Sequence, residues 1–247
     1  MKALLLAAGL GTRLRPLTDT LPKALLEVSG KPLLYWALLS LRQAGICEVA
    51  VNLHHFAAEL EAYLATEPLP DMRLWLSDER QRLLDTGGAV RAARPFLEGG
   101  PFLVRNVDIL SNADLGLFAR SLRPGALASL LVSERKSSRY LLFDEELRLC
   151  GWLNEASGEL RTPYPGLDPS KCRKLAFSGF HTVSSEIFSI FEAGNWPEVF
   201  SIVDFYIENC GRFPIYGALQ PGLKLLDVGK PEAFARAESF LTELQTI

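Results

Sequence analysis

Short apolar runs alternate along this chain with longer stretches in which apolar positions recur every three to four residues. Residues 2–7 form an apolar run, which reads as a buried parallel strand with both faces covered. Residues 32–44 read as a helix: Pro32 suits the first turn, Leu33, Leu34, Trp36, Ala37, Leu38 and Leu41 make one apolar face, and Gly45 ends it. A second strand is expected over 47–53, an amphipathic helix over 55–65 and a third, short strand over 72–76. This βαβαβ alternation implies a parallel sheet with right-handed crossovers. The polar stretch 78–86 reads as a loop, and Gly87-Gly88 opens a helix running to about Phe96. A further strand over 101–106 ends in Asn106-Val107-Asp108.

The second half alternates differently. A strand is expected over 127–132 and a hairpin over 140–143 and 147–153, turning at Asp144-Glu145-Glu146. Residues 154–173 have little periodicity and are rich in Gly, Pro, Ser and charge, so they read as a long irregular segment of the kind that forms lids or linkers. Residues 175–183 read as a strand containing one glycine, Gly179, where a ligand could approach the backbone closely. Helices over 184–191 and 200–209 and short strands over 213–216 and 223–226 follow, and Asp227 to Glu232 open the last helix. The fold class is therefore α/β, with a Rossmann-like, mostly parallel central sheet flanked by helices and a small insertion. We read residues 1–247 as one domain with two parts, 1–110 and 111–247.

Composition narrows the function classes. The chain has 247 residues, 48% hydrophobic and 22% charged, as in an ordinary globular protein with a sizeable core. Its net charge of −3 leaves no broad basic surface for nucleic acid, so an anionic ligand must be held by local cations. The four cysteines, Cys47, Cys150, Cys172 and Cys210, include no C-x-x-C pair, and with three histidines they do not suggest zinc. Glycines and charge over 9–15 interrupt any signal peptide, and no apolar run reaches the ~18–20 residues that span a bilayer. The expectation is a cytoplasmic protein with reduced thiols.

The candidate chemistry begins directly after the first strand, at Ala7-Ala8-Gly9-Leu10-Gly11-Thr12-Arg13. Gly9 and Gly11 permit a sharp turn and close approach of a ligand, and the backbone N–H groups of such a loop converge on an anion. Arg13 and, a little later, Lys23 add side-chain cations. The alternative is a glycine turn with surface basic residues, but the attached Thr12-Arg13 and Pro22-Lys23 favour a nucleoside triphosphate. The spacing is not that of a P-loop, and Leu14 stands where a dinucleotide fingerprint needs its third glycine.

Two acids end apolar runs, Asp108 and Asp227. Each could be a helix cap or turn residue. At the carboxyl ends of strands in an open α/β sheet they would instead sit at the ligand crevice, and two such acids near one loop are what a shared Mg²⁺ requires. Gly87 and Gly88 could contact a flat base or cap a helix; Gln81, in the polar loop before them, is a further candidate for the nucleotide. His181 reads as a core or edge histidine, and Asp204 as a solvent-facing or ion-paired residue. Asn106, Asn154, Glu155 and Gly179 are further candidate ligand contacts.

Gly9-x-Gly11-Thr12-Arg13-Leu14-x-Pro16-Leu17-Thr18, followed by Pro22-Lys23-Ala24-Leu25 and Gly30-Lys31-Pro32-Leu33, resembles the signature of the sugar-1-phosphate nucleotidyltransferases (NDP-sugar pyrophosphorylases). Ala24 replaces the family's second proline. Asn106-Val107-Asp108 resembles its Asn-Gly-Asp, and Leu225-Leu226-Asp227-Val228-Gly229-Lys230-Pro231 its Trp-x-Asp-Val-Gly-Thr-Pro. The resemblance implies transfer of a nucleotidyl group from a nucleoside triphosphate to a sugar 1-phosphate. It also implies Mg²⁺ on Asp108 and Asp227, the base beside Gly87-Gly88 and the sugar beside Gly179. Among short members the chain looks most like the N-acetylmuramate-1-phosphate uridylyltransferases, with mannose-1-phosphate or heptose-1-phosphate guanylyltransferases as the alternative. Val107, Ala24 and Leu225 leave open a binding module of another class, one that kept the fold and lost turnover.

Overall fold

A computed structural model describes residues 1–66 and 68–245. In chain order the strands are β1 (Lys2–Leu6), β2 (Glu27–Val28), β3 (Lys31–Pro32), β4 (Glu48–Leu53), β5 (Arg73–Asp78), β6 (Phe102–Asn106), β7 (Ile109–Ser111), β8 (Ala128–Ser133), β9 (Arg139–Phe143), β10 (Leu149–Asn154), β11 (Glu159–Arg161), β12 (Arg173–Val183), β13 (Ile215–Leu219) and β14 (Leu225–Asp227). The helices are α1 (Leu33–Gln43), α2 (Ala57–Leu64), α3 (Asp85–Ala92), α4 (Arg94–Leu97), α5 (Leu115–Ala119), α6 (Ile187–Ala193), α7 (Ile202–Asn209), α8 (Pro231–Ala235) and α9 (Ala237–Gln245).

The expected βαβαβ unit is present: β5, β4, β1 and β6 lie side by side and parallel. Beyond β6 the sheet changes direction. The long β12 pairs antiparallel with β6, β8 and β9, and β10 and β11 continue outward from β9. One ten-stranded sheet thus runs through both halves of the chain. The stretch 154–173, expected to be irregular, contributes β11, because Trp152 to Asn154 offer a strand edge to Glu159–Arg161.

The apolar character of β1 on both faces has a direct structural cause. Leu4 packs with Ala50, Val90 and Val104 on one side, under α3, α4, α6 and α7. Ala3 and Leu5 pack with Val49, Val51 and Leu103 on the other, under α1 and α2. Both faces of the parallel strands are covered by helices, as a buried parallel sheet requires. A third, smaller cluster joins Leu14, Leu26, Leu33, Leu110 and Val228 to Leu241 of α9, so the C-terminal helix braces the underside of the first loop. Among the described residues no helix is long and apolar enough to cross a membrane.

Candidate active site

β1, β4 and β6 end together, and the loops that leave them surround a cleft of about 570 Å³. This is the crevice at the carboxyl ends of parallel strands where open α/β sheets bind ligands. Its floor is the first loop. The N–H groups of Ala7 and Ala8 both donate to Asn52 Oδ1, at 2.6 and 3.1 Å, which secures the root of the loop to the end of β4. Gly11 then adopts a left-handed conformation with φ 64°, and a Cβ there would lie 2.8 Å from the Thr18 methyl. Thr18 Oγ1 in turn donates to Gly11 O at 2.9 Å. After Gly11 a single turn of 3-10 helix buries Leu14 and leaves the neighbouring Arg13 lining the cleft. Thr12 lines it as well.

Neither strand-end acid is a helix cap. The cap of α5 is Asp114, whose carboxylate accepts the Leu117 N–H at 2.7 Å. Asp108 is held instead by a backbone frame: Val107 N–H donates to Leu6 O at 3.1 Å, and Val228 N–H donates to Asp108 O at 2.9 Å. β14 pairs antiparallel with β7, placing Asp227 opposite Ile109, so acids remote in sequence become neighbours. The buried Lys23 forms an ion pair with Asp108. Crowding by protein atoms and then the like charge of Asp108 push the Asp227 carboxyl above its ordinary range, opposed by Lys23, Arg13 and Arg135. Gly229 keeps the space between Asp227 and Arg13 open, since a Cβ there would lie 2.7 Å from Asp227 Oδ1 and 2.8 Å from Arg13 Nη2. The arrangement sets two cations and a glycine loop against a pair of hard oxygen donors, which suits a polyphosphate and a divalent cation.

The remaining candidates divide. Asn106 lines the cleft. Gly179, at φ 78°, presses close to it, and a Cβ there would lie 3.1 Å from Asn106 Nδ2. Gly87 and Gly88 are buried in α3 beneath the segment 198–200, and Gly87 N–H donates to Phe200 O at 2.8 Å. A side chain on Gly87 would run into the Phe200 ring, and one on Gly88 into the Glu198 carbonyl. Their neighbours Leu83, Asp85 and Thr86 line the cleft with Val199. Gln81 is exposed and lines a separate surface hollow with Arg82 and Glu198. Asn154, at the end of β10, accepts the Ala156 N–H at 3.1 Å, and Glu155, in the turn that follows, pairs with Lys174 at 2.8 Å. His181 is a core residue with Nδ1 2.6 Å from the Tyr206 hydroxyl, and Asp204 pairs with Arg161 at 2.8 Å.

Sequence reasoning missed Asn52 and Val199. Asn52 had a signal: it is a polar residue in a run of otherwise apolar positions, Val49 to Leu53. Val199 had none, because it reaches the cleft only through the packing of 198–200 on α3.

Residues 2–140 match the nucleotidyl transferase family. The chain is 32% identical over 247 residues to the N-acetylmuramate alpha-1-phosphate uridylyltransferase of Caulobacter vibrioides, covering 98% of this chain and 97% of that one. It is 45% identical over 114 residues to the protein of the same name from Neisseria meningitidis serogroup B, covering 46% of this chain and 49% of that relative, about half its length. Among solved structures, a putative glucose-1-phosphate thymidylyltransferase from Bacillus anthracis superposes with a TM-score of 0.79 at 18% identity, covering 97% of this chain and 94% of the other. That likeness speaks for the fold. The family match includes the first loop, Lys23 and Asp108 in one stretch, and the end-to-end relative extends it past Asp227, so this chain belongs to the nucleotidyl transferase family.

Proposed function

We propose that this protein joins uridine triphosphate to N-acetylmuramate 1-phosphate, releasing pyrophosphate. The observation that carries the reaction class is the meeting of Asp108 and Asp227 beside Arg13 and Lys23, brought about by the pairing of β7 with β14. The choice of base and sugar is supported by the name of the relative aligned over the whole chain.

In the reaction a phosphate oxygen of the sugar 1-phosphate attacks the α-phosphorus in line. The new P–O bond forms as the bond to the β-phosphate oxygen breaks, and pyrophosphate leaves with that electron pair. The attacking monoester is already an anion near pH 7, so no side chain needs to remove a proton. What remains is positioning and the relief of charge repulsion. The loop from Gly9 onward grips the phosphates, since the N–H groups of Ala7 and Ala8 are already taken by Asn52. Arg13 presents its planar fork to the departing pyrophosphate. Lys23 serves as a point charge beside the α-phosphate, moving off Asp108 as the substrates arrive. Asp108 and Asp227, brought together by the pairing of β7 with β14, would hold Mg²⁺, whose charge would offset the repulsion between the substrates' phosphates. Asn106 and Gly179 form the sugar side.

We place this work in the cytoplasm. The four cysteines are free thiols, the state that a reducing compartment maintains. A matrix of nucleoside triphosphates against sugar 1-phosphates, read as pyrophosphate release in Mg²⁺, tests the proposal. The highest kcat/KM is expected for uridine triphosphate with N-acetylmuramate 1-phosphate. A preference for guanosine triphosphate with mannose 1-phosphate would overturn the substrate choice, and no release from any pair would overturn the reaction.

A further inference from the structure

Glu79 has no part in the scheme above, yet it is 2% exposed, behind the cleft-lining Asn52 and beside the separate hollow that Gln81 lines. Its two carboxylate oxygens accept from different places. Asn52 Nδ2 donates to Oε1 at 2.9 Å, and the Leu84 N–H donates to Oε2 at 3.1 Å. Its backbone is held just as firmly: Glu79 N–H donates to Leu53 O at 2.7 Å, and Glu79 O lies 2.7 Å from His54 Nδ1. Burial raises its carboxyl above the ordinary range.

Asn52 is 4% exposed, and its other end accepts the N–H groups of Ala7 and Ala8. A continuous chain of hydrogen bonds therefore runs from Ala7 and Ala8 through Asn52 and Glu79 to Leu84. One end is the root of the glycine loop. The other is the residue before α3, flanked by Leu83 and Asp85 of the opposite cleft wall. A buried carboxylate is an unfavourable way to fill space, and a hydrophobic residue of similar volume would be less costly. What a carboxylate supplies is two acceptors in one rigid plane, each facing a donor from a different wall.

We infer that Asn52 and Glu79 are a positioning pair that sets the spacing between the phosphate loop and the base-side wall, and so governs affinity for the nucleoside triphosphate rather than for the sugar phosphate. The inference rests on the proposed reaction only for the identity of the ligand that fills the cleft.

The donor and acceptor pattern provides the test. In Glu79→Gln one carboxylate oxygen becomes an NH₂, so the side chain cannot accept from both Asn52 and Leu84. In Asn52→Asp a carboxylate faces Glu79. The double variant exchanges the roles: the carboxylate introduced at position 52 accepts from Ala7, Ala8 and the new amide at position 79, whose oxygen accepts from Leu84. Binding of uridine triphosphate by calorimetry, KM for each substrate and the melting temperature are measured for all four proteins. Each single variant is expected to weaken triphosphate binding about tenfold, the scale of one lost buried hydrogen bond, with KM for the sugar phosphate within about twofold. The double variant is expected to return to within about threefold of the parent. A double variant no better than the singles overturns the inference, as do singles in which both KM values rise together with a lowered melting temperature. If the singles do not fold, the double decides: parental affinity supports the pair, and an unfolded double overturns it. A parent protein that binds no nucleoside triphosphate would strike at the reaction itself, whereas normal parental binding with indistinguishable singles strikes only at this pair.

Discussion

Asp227 shows most clearly how a residue's role depends on its neighbours. Its carboxyl is pushed up by the crowded cleft and by Asp108, so at neutral pH in metal-free buffer the two acids repel each other across the site. Function and stability therefore pull in opposite directions. Asp227→Asn is expected to raise the melting temperature in the presence of a chelator, while lowering turnover in Mg²⁺ about 10²–10³-fold, the loss of several kcal/mol of charge stabilisation. Asp108→Asn is expected to lower turnover comparably. Calorimetric melting with and without chelator, beside steady-state kinetics, checks both halves. Turnover near that of the parent for both variants would refute the assignment of these acids to the metal. Both residues were legible in the sequence because an acid that ends an apolar strand can be seen without knowing the fold. Gln81 and Asn154 face solvent or their own chain neighbours, and the exposed Glu155 pairs with Lys174 away from the cleft. Nothing local to those residues shows which side of the sheet they occupy.

At the scale of elements, the glycine pair of α3 is the instructive case. The sequence shows that Gly87 and Gly88 leave one face of the helix start bare. It does not show what lies there, which is the segment between α6 and α7. Arg91 holds that segment through the carbonyls of Trp196, at 3.0 Å, and Pro197, at 2.7 Å. Thr86 Oγ1 accepts the Ile202 N–H at 3.0 Å and so anchors the start of α7. A methyl on Gly88 has no room, because the obstacle is the Glu198 backbone rather than a movable side chain. Gly88→Ala is expected to displace 198–200, and Val199 with it, from the cleft wall. The anticipated cost in stability is about 1–3 kcal/mol, as for overpacking elsewhere, with a raised KM for the nucleoside triphosphate. Chemical denaturation and kinetics measure the two effects. Unchanged values would mean that this segment is free to move and does not shape the cleft. The same limit explains β11: its pairing with β10 depends on an open strand edge, which no local periodicity in 154–173 reveals.

At the scale of the whole molecule, the long β12 joins the parallel and antiparallel parts of the sheet, and His181 lies on it within the core beneath α7. Its environment holds the imidazole neutral, with a pKa lowered to about 3 by burial. The unfolded chain takes up that proton near pH 6.5, well before the folded one does, so the contribution to stability is complete above pH 6.5 and declines as pH falls toward 3. Between pH 7 and pH 5 this amounts to about 2 kcal/mol. Denaturant melts at the two pH values should therefore show a larger loss for the parent than for His181→Gln by about that amount. Equal losses in the two proteins would mean that His181 titrates normally in the fold.

The sequence by itself determined the repeating strand and helix pattern, the glycine loop and its cations, and the two acids, because each depends on residues adjacent in the chain or on a buried strand's need for apolar side chains on both faces. It also carried the family signature. Tertiary structure decided the rest: that β14 lies against β7 and makes one site of Asp108 and Asp227, that 198–200 covers α3, and that Asn52 and Glu79 connect the two walls of the cleft. Those are contacts between segments far apart in sequence. A carboxylate in β14 or an amide in β4 has no local property that names its partner, and only the packing of the sheet brings the two together.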